Sequence, residues 1–225
     1  MSSLIETFFN WGVFVTVLPL LLRGLGMTVL LGAVCIVLGS LAGLLVCLAR
    51  LYAPRPLQLL AIAYIDILRA VPALVVLTMI YYALPFVGVR FSGFTSAALG
   101  LSLVLSAFSA EVFRSGIESV PRGQFEASSA LGLHWGQTML KVVLPQALRV
   151  ALAPTTSNWV SVVKDTSLAS VVAIPELLKQ ATDAQALTAN PTPILAASLI
   201  YLIFLWPMVR LIGHIETRAK NAQTR

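Results

Sequence analysis

Charged residues are scarce in this chain: only 11% of its 225 residues are charged, whereas 58% are hydrophobic. Ordinary globular domains contain roughly 25% charged and about 45–50% apolar residues. The mean hydropathy of +0.91 shows that the apolar excess is general. This composition excludes a soluble enzyme, a secreted disulfide-rich scaffold and a disordered chain.

Cysteine is nearly absent. The two cysteines, Cys35 and Cys47, are twelve positions apart within one apolar block. On a single helix they cannot approach the roughly 5.5 Å between Cα atoms that a disulfide requires. We therefore expect both to be packing residues.

Motifs for catalysis are missing as well. The sequence has no G-x-x-x-x-G-K-[ST] phosphate-binding loop and no recognisable nucleophile elbow. His134 and His214 each lack a second ligand at helical spacing, which argues against a metal site. We expect the chain to be no enzyme and to bind no cofactor or metal of its own.

Long apolar runs are present instead. Residues 26–48, 70–89 and 193–209 contain almost no charge over lengths close to the roughly 20 residues of a membrane-spanning helix. The predicted fold class is therefore an all-α integral membrane protein. We predict five transmembrane helices, at about 24–48, 57–86, 95–114, 146–163 and 193–213.

The remaining segments complete one transmembrane domain over residues 1–225. Aromatic and apolar residues dominate the segment 1–23, and a helix in it is predicted to lie at the membrane interface and to end at Pro19. The five-helix core then extends over residues 24–213. Residues 214–225 are predicted to form a cytoplasmic tail.

Two of the predicted spans are irregular. Pro72 is expected to kink the second span. The fourth contains Arg149 and Pro154, and we predict it because the chain must recross the membrane between its cytoplasmic loops and tail. After it, residues 164–190 are predicted to form an irregular segment near the outer face, with a short helix near 176–184.

Basic residues predict the orientation, because they are enriched in cytoplasmic loops. With the N-terminus outside and the C-terminus cytoplasmic, ten basic residues fall inside: Arg50, Arg55, Arg114, Arg122, Lys141, Arg149, Arg210, Arg218, Lys220 and Arg225. Four fall at or near the outside: Arg23, Arg90, Lys164 and Lys179. The bias supports this orientation.

Three glycines share one face of the first span. Gly32, Gly39 and Gly43 are spaced seven and four residues apart. A face of small residues allows another helix to approach closely. The alternative is that glycine is simply tolerated in membrane helices.

A polar stretch, residues 115–144, separates spans three and four. Pro121 suits a first helical turn and Gly132 a left-handed stop, so a helix about 15 Å long is predicted between them. A second short helix is predicted after it, up to a break at Pro145. Such cytoplasmic helices, at about 121–143, suit a groove of another protein. A solvated connecting loop is the alternative.

Five motifs together carry a family resemblance. Glu126-Ala127-Ser128 followed by Ala130-Leu131-Gly132 is similar to the EAA loop of the membrane subunits of bacterial ATP-binding-cassette importers. The segments Tyr64 to Pro72, Ala110 to Gln124, Leu144 to Arg149 and Lys164 to Leu168 resemble motifs of their polar amino acid uptake group. The resemblance covers about residues 18–215 in the family's order.

The resemblance implies a permease subunit in the bacterial cytoplasmic (inner) membrane. In this family two permeases, identical or paralogous, pair around a pathway for a small polar amino acid. Two cytoplasmic ATPase subunits use ATP and Mg, an extracytoplasmic solute-binding protein delivers the substrate, and no nucleic acid is involved. Carried over by position, the ATPase-coupling surface comprises Gln124, Glu126, Ala127, Ala130 and Gly132.

The sequence departs from the family pattern at a few positions. Ser128 replaces the second alanine of EAA, and Ala70-Val71 replaces Gly-Thr before Pro72. Residues 105–108, Leu-Ser-Ala-Phe, replace an Asn-Ser-Gly-Ala-Tyr-like stretch. The identity of the substrate therefore stays open.

Polar residues within or next to apolar spans are candidates for the translocation path or its gate, since charge is costly in lipid. These candidates are Asp66, Arg69, Glu111, Lys164, Asp165, Thr166 and Ser167. Asp66 and Arg69, three residues apart, are placed to pair along one helix face. The alternative is that the charged residues form structural ion pairs between helices.

Two other functions fit a polytopic membrane protein. An autonomous secondary transporter or channel would need no ATPase, but inverted repeats are typical of such transporters and five spans do not divide evenly. A membrane anchor for a soluble enzyme would not require the polar helix near 121–131.

Overall fold

The computed structural model describes the backbone of residues 7–223 and the side chains of residues 7–213. Every regular element of this part of the chain is helical, which confirms the all-α class. The α-helices are α1 (Trp11–Tyr52), α2 (Arg55–Ala70), α3 (Ala73–Thr78), α4 (Gly93–Glu118), α5 (Arg122–Ala130), α6 (Trp135–Thr138), α7 (Leu144–Asp165), α8 (Leu177–Thr188) and α9 (Thr192–Gln223).

Three helices are long and apolar enough to cross a bilayer: α1, α4 and the part of α9 up to Gly213. Helix α2 and the segment Ala73–Val87 meet the same criterion only as a bent pair. The predicted fourth span is a 22-residue helix, α7, with Pro154 inside it. By length and composition, the described residues therefore contain three candidate spans, or four if the bent pair counts as one.

Helix α1 is 42 residues long and continues without interruption through Pro19. Asn10 caps it, because its side-chain oxygen accepts a hydrogen bond from the Val13 N–H at 3.1 Å. The prediction of a separate helix that ends at Pro19 is therefore wrong. A proline removes one hydrogen bond, and a long apolar helix tolerates that loss. Residues 1–6 of the predicted interfacial segment lie outside the described residues.

The glycine face of α1 is a close-packing surface. A Cβ atom placed on Gly39 would lie 2.8 Å from Cδ2 of Leu105 in α4, and one on Gly43 would lie 2.6 Å from the Ser109 Cβ. On Gly32 it would lie 3.1 Å from a side chain of α7. These separations leave no room for a larger residue at Gly39 or Gly43, so close helix approach is confirmed.

The chain turns sharply at Pro72, where α2 and the following helical segment meet at 105°. Val71 is extended, with φ −89° and ψ 131°, because a following proline disfavours helical backbone. The predicted position of the bend is confirmed, but a single kinked helix over 57–86 is wrong. Beyond α3 the chain continues as a π turn, Met79–Ala83, and a short 3-10 turn.

The expected break at Pro145 is absent. Helix α6 continues through a π turn, Met139–Val143, directly into α7. The N–H of Leu144 donates to the Met139 carbonyl, five residues earlier. This wider turn shifts the hydrogen-bond register just before Pro145, so the helix continues where the proline lacks a donor. The second coupling helix is therefore the first part of a longer rod.

The segment predicted as irregular is more ordered than expected. Lys164 and Asp165 are the last residues of α7, and a 3-10 turn, Thr166–Val172, follows them. The short helix predicted at 176–184 is confirmed as α8, which extends four residues further. The backbone of α9 continues to Gln223. The side chains of the predicted tail, residues 214–225, lie outside the described residues.

Candidate coupling surface and translocation path

Helix α5 is the short rod predicted from the polar stretch. Pro121 precedes its first turn with φ −58° and ψ 140°. After the helix ends, Gly132 is left-handed, with φ +74°, and its N–H donates to the Ser129 carbonyl at 3.0 Å. A left-handed glycine with such a bond ends a helix sharply. The predicted start and stop are confirmed to within one residue.

One face of α5 is attached to the protein and the other is open. Ser128 is 3% exposed and donates its hydroxyl to the Gln124 carbonyl at 2.7 Å. Phe125, half-buried, packs against a buried cluster built from residues of α1, α2, α4, the π turn and α7. The five predicted coupling residues are all exposed: Gln124, Glu126, Ala127, Ala130 and Gly132. The open face is therefore available to a partner.

The open side also carries large apolar side chains that sequence reasoning missed. Leu131 is 80% exposed and stands directly before the left-handed Gly132. Trp135 is 61% exposed and meets the Tyr52 ring edge-on, with 5.3 Å between ring centroids. The available signal was an apolar residue at the tip of a polar stretch, which is typical of an interaction site.

A buried cluster joins the coupling helices to the long helices. It includes Cys47 of α1, Ala110 and Ile117 of α4, and Met139 and Val143 of the π turn. Close-packed side chains transmit displacement rather than absorb it. This cluster ties the π turn, and through Phe125 also α5, to the ends of α1, α4 and α7.

Glu111 belongs to a chain of ion pairs. Its carboxylate accepts a hydrogen bond from Arg50 of α1 at 2.7 Å and forms a second ion pair with Arg114. Arg114 also pairs with Glu118. The contact with Arg50 ties α4 to α1. For Glu111, the geometry therefore matches the alternative of a structural ion pair between helices.

Asp66 and Arg69 of α2 are both exposed. The Arg69 guanidinium lies over the Phe108 ring of α4, 5.6 Å from its centroid. Among the described side chains, no ion pair joins Arg69 to Asp66. The predicted i,i+3 pair is therefore wrong, because the guanidinium turns toward α4 instead of along its own helix.

A cleft between α4 and α7 brings part of the predicted path together. Its lining residues are Leu101, Val104, Leu105, Phe108, Asn158, Ser161, Val162 and Asp165. Asp165 was predicted, whereas Asn158 and Ser161 were not. Their spacing of three and four residues places all three on one face of α7. The Asn158 Nδ2 atom is buried without a partner among the described residues, so a donor is available to a polar ligand.

The other candidates near Asp165 differ in accessibility. Thr166 is fully buried and donates its hydroxyl to the Val163 carbonyl at 2.7 Å. Ser167 donates to the Lys164 carbonyl at 2.8 Å, and Lys164 is exposed. Thr166 therefore faces the helix bundle, whereas Ser167 is half-buried and Lys164 lies at the surface.

Sequence reasoning missed Glu176, a carboxylate with no exposed surface at the start of α8. It accepts hydrogen bonds from the N–H groups of Leu178 and Lys179, at 2.8 and 2.6 Å, and from the Tyr201 hydroxyl at 3.0 Å. Burial raises the pKa of Glu176, and these three donors oppose that shift. The available signal was an acidic residue after Pro175, at the start of a predicted helix.

A family model matches most of this helical chain. The match covers residues 35–221, and the family is described as the inner membrane component of binding-protein-dependent transport systems. The chain belongs to this family. The matched residues include the C-terminal part of α1, from Cys35 onward, and all of α2 to α8, so the predicted coupling surface and the cleft both lie in the family's region.

Curated relatives of this inner membrane component are permease proteins. The chain is 40% identical over 176 residues, 78% of either chain, to the probable amino-acid ABC transporter permease protein YckA of Bacillus subtilis (strain 168). It is 32% identical over 215 residues, 94% of this chain and 98% of the other, to the glutamine transport system permease protein GlnP of Escherichia coli (strain K12).

A solved structure shares the architecture of this inner membrane component. It is the crystal structure of an amino acid ABC transporter with histidines, with a TM-score of 0.86 and 31% identity over 91% of this chain and 96% of that chain. The resemblance to permease subunits of ATP-binding-cassette importers is thereby confirmed. These relatives are permeases rather than ATPases, and they do not favour an autonomous secondary transporter or channel.

Proposed function

We propose that this inner membrane component forms the pathway of an ATP-driven importer for a small polar amino acid and couples through α5 to a separate ATPase. The observation that carries the proposal is the open face of α5, whose opposite side is anchored by Phe125 to a buried cluster with residues from α1, α4 and the π turn. Two cytoplasmic ATPase subunits use ATP and Mg. This chain carries no ATP-hydrolysing site and binds no cofactor or metal.

Coupling depends on rigidity. Because α5 and α6 are packed against the long helices, a displacement of α5 by the ATPase displaces α1, α4 and α7 as well. Glu126 supplies a charge for the docking groove and Leu131 an apolar anchor, a combination typical of protein interfaces. The residues proposed to contact the ATPase are Gln124, Glu126, Ala127, Ala130, Leu131 and Gly132.

A second permease subunit, identical or paralogous, completes the pathway. Helices α2 and α7 expose polar side chains, among them Asp66, Arg69, Ser161 and Lys164. Charged groups are too costly to face lipid, so these faces require protein or a wet path. We place Asp66, Arg69, Lys164, Asp165 and Ser167 along the path, with Glu111 and Thr166 supporting it.

The cleft between α4 and α7 fits a zwitterionic solute. The Asp165 carboxylate suits the ammonium group, and the unpartnered Asn158 amide suits a carboxylate or side-chain carbonyl. Relatives named for amino acids, among them glutamine and L-cystine, support this class of substrate. An extracytoplasmic solute-binding protein would deliver it, and nucleic acid has no role.

The proposed topology is a single domain with five crossings of the bacterial inner membrane. Helices α1, α4 and α9 are three of them, α2 with the bent segment after it is another, and α7 is the fifth. The bias of basic residues supports an external N-terminus and a cytoplasmic C-terminus, which places α5 in the cytoplasm beside the ATPases.

Reconstitution tests the function. The chain, purified with its natural partners and inserted into lipid vesicles, is expected to accumulate a radiolabelled polar amino acid only with ATP and Mg. A screen of amino acids for stimulation of the ATPase identifies the cargo. Vesicles holding this chain alone are the control, and solute accumulation there without nucleotide would contradict the proposal.

Replacing Asp165 by Asn tests the path. Loss of a charge-assisted hydrogen bond of about 1.5–3 kcal/mol is expected to raise the KM for the transported solute roughly 10- to 100-fold. Asp183→Asn, on the exposed face of α8, is the matched control. An unchanged KM in Asp165→Asn would remove Asp165 from the path.

A further inference from the structure

The N-terminus of α8 is held by polar contacts inside an otherwise apolar environment. Glu176 accepts three hydrogen bonds, one of them from Tyr201 of α9. The next N–H, that of Leu177, donates to the Thr28 hydroxyl of α1 at 3.2 Å. Glu176 and Thr28 have no exposed surface. We call Glu176, Tyr201 and Thr28 the α8 clamp, since together they join three helices.

The α8 clamp selects one arrangement of the three helices rather than adding to the overall stability of the protein. A buried carboxylate costs several kcal/mol unless its hydrogen bonds are complete, whereas a well-packed apolar residue at the same place would have no such cost. Leu177, the next residue, belongs to a buried apolar cluster with Leu21, Ala181 and Ala197. If Tyr201 or α8 shifts, the carboxylate loses donors. The α8 clamp therefore has two states, in which the hydrogen bonds to Glu176 are either formed or broken, and intermediate arrangements are unfavourable.

Residues 163–177 connect the cleft to the α8 clamp, and they have little room to move. A Cβ atom on Gly93 of α4 would lie 2.7 Å from the Val172 carbonyl oxygen. One on Gly24 of α1 would lie 2.9 Å from the Leu177 Cα atom. A Cβ atom on Gly32 of α1 would lie 3.1 Å from the Cγ2 atom of Val163, the first residue of the segment. The segment is thus packed closely against α1 and α4. Because the same segment carries Asp165, it connects α8 directly to the cleft.

We propose that Glu176 is a positioning residue, which holds the outer end of the translocation path closed through Tyr201 and Thr28. This inference rests on the proposed function. In the resting importer the engaged clamp keeps α8 and residues 163–177 against α1 and α4. Outward opening, driven by the ATPases through α5, requires the clamp to break. A weaker clamp therefore shifts the population toward the open state.

The test compares conservative variants in the full importer, reconstituted in vesicles with its ATPase. Glu176→Gln keeps the side-chain size but replaces one acceptor oxygen by a donor that faces backbone N–H groups. Tyr201→Phe removes one hydroxyl. Asp183→Asn is the matched control, because it makes the same carboxylate-to-amide change on the exposed face of α8.

Two measurements separate a gating role from a structural one. ATP hydrolysis in the absence of solute and binding protein is expected to rise at least about 3-fold in Glu176→Gln and Tyr201→Phe. Amide hydrogen exchange in α8 is expected to become much faster in both variants. In Asp183→Asn, which removes only an exposed i,i+4 ion pair with Lys179, the exchange is expected to change little.

Three outcomes would overturn the inference. These are unchanged hydrolysis in both variants, hydrolysis that falls in proportion to the amount of assembled complex, and failure of both variants to assemble. The proposed function fails separately, when the wild-type importer shows no ATP-dependent uptake of radiolabelled glutamine or cystine and no amino acid stimulates its ATPase. The exchange measurement on α8 still reports on the clamp in that case.

Discussion

The two short helices α5 and α8 are attached to the protein in different ways. Helix α8 buries Leu177, Ala181 and Ala184 against α1 and α9, each at most 2% exposed. Within α5 only Ser128 is buried, with 3% of its surface exposed. A helix whose partners lie in its own chain has a buried face and a polar clamp. A helix that leaves most of its surface open is suited to a partner outside the chain.

The two helices also end differently. A left-handed Gly132 follows α5, with φ +74°, whereas a left-handed Ala189 with φ +47° follows α8. The left-handed conformation costs a non-glycine residue roughly 1–2 kcal/mol. Helix α8 tolerates this strain because its buried face holds it in place. Helix α5 buries little, so it depends on the local stop that glycine provides.

The largest expected effect follows from placing a charge on the open surface beside α5. Leu131→Asp is expected to weaken ATPase binding about 30-fold or more, since apolar anchors at interface centres contribute about 2 kcal/mol or more. Retention of the ATPase on the purified complex measures this. Leu187→Asp is the control, because Leu187 is 85% exposed on α8. Equal retention of the ATPase in both variants would contradict the proposed difference between α5 and α8.

A smaller effect is expected from changing the stop after α5. A Cβ atom on Gly132 or on Gly123 meets nothing within 4 Å, so only the backbone conformation distinguishes the two positions. Gly132→Val forces a β-branched residue into the left-handed region, at about 1–3 kcal/mol. Uptake per ATP is expected to fall about tenfold, and Gly123→Ala is expected to preserve it. Normal uptake in Gly132→Val would show that the stop is dispensable.

The smallest effect is expected at the stop after α8. Ala189→Gly relieves the left-handed strain and is expected to stabilise the protein by up to about 1 kcal/mol, seen as a slightly higher Tm in detergent. Ala186→Gly, inside the same helix, is expected to destabilise it by about 0.5–1 kcal/mol. Equal shifts in the two variants would mean that Ala189 is not strained.

Local signals predicted the elements whose causes are local. Pro121 and Gly132 bracket α5 because each acts through its own backbone, and the motif pattern placed four of the five predicted coupling residues on that helix and the fifth, Gly132, at its stop. The same kind of signal failed at Pro19 and Pro145. Whether a proline ends a helix depends on what holds the chain on both sides, and at Pro145 the preceding π turn accommodates it.

The site depended on contacts far apart in sequence. The Leu177 N–H donates to the Thr28 hydroxyl, 149 positions away in the sequence. Arg50 donates to Glu111, 61 positions away. No periodicity within a single helix indicates such partners. For this reason Glu111 was predicted as a path residue, and Glu176 was not singled out.

Composition and motif spacing alone determined that this chain is a helical membrane protein of an importer family, with a short polar helix between Pro121 and Gly132. These properties follow from apolar content and from local backbone preferences, which each residue carries into any fold. Only the tertiary structure decided which charges pair, how sharply the chain bends at Pro72 and what surrounds the Glu176 carboxylate. The physical reason is that the cost of a buried charge depends on the donors that neighbouring helices bring to it.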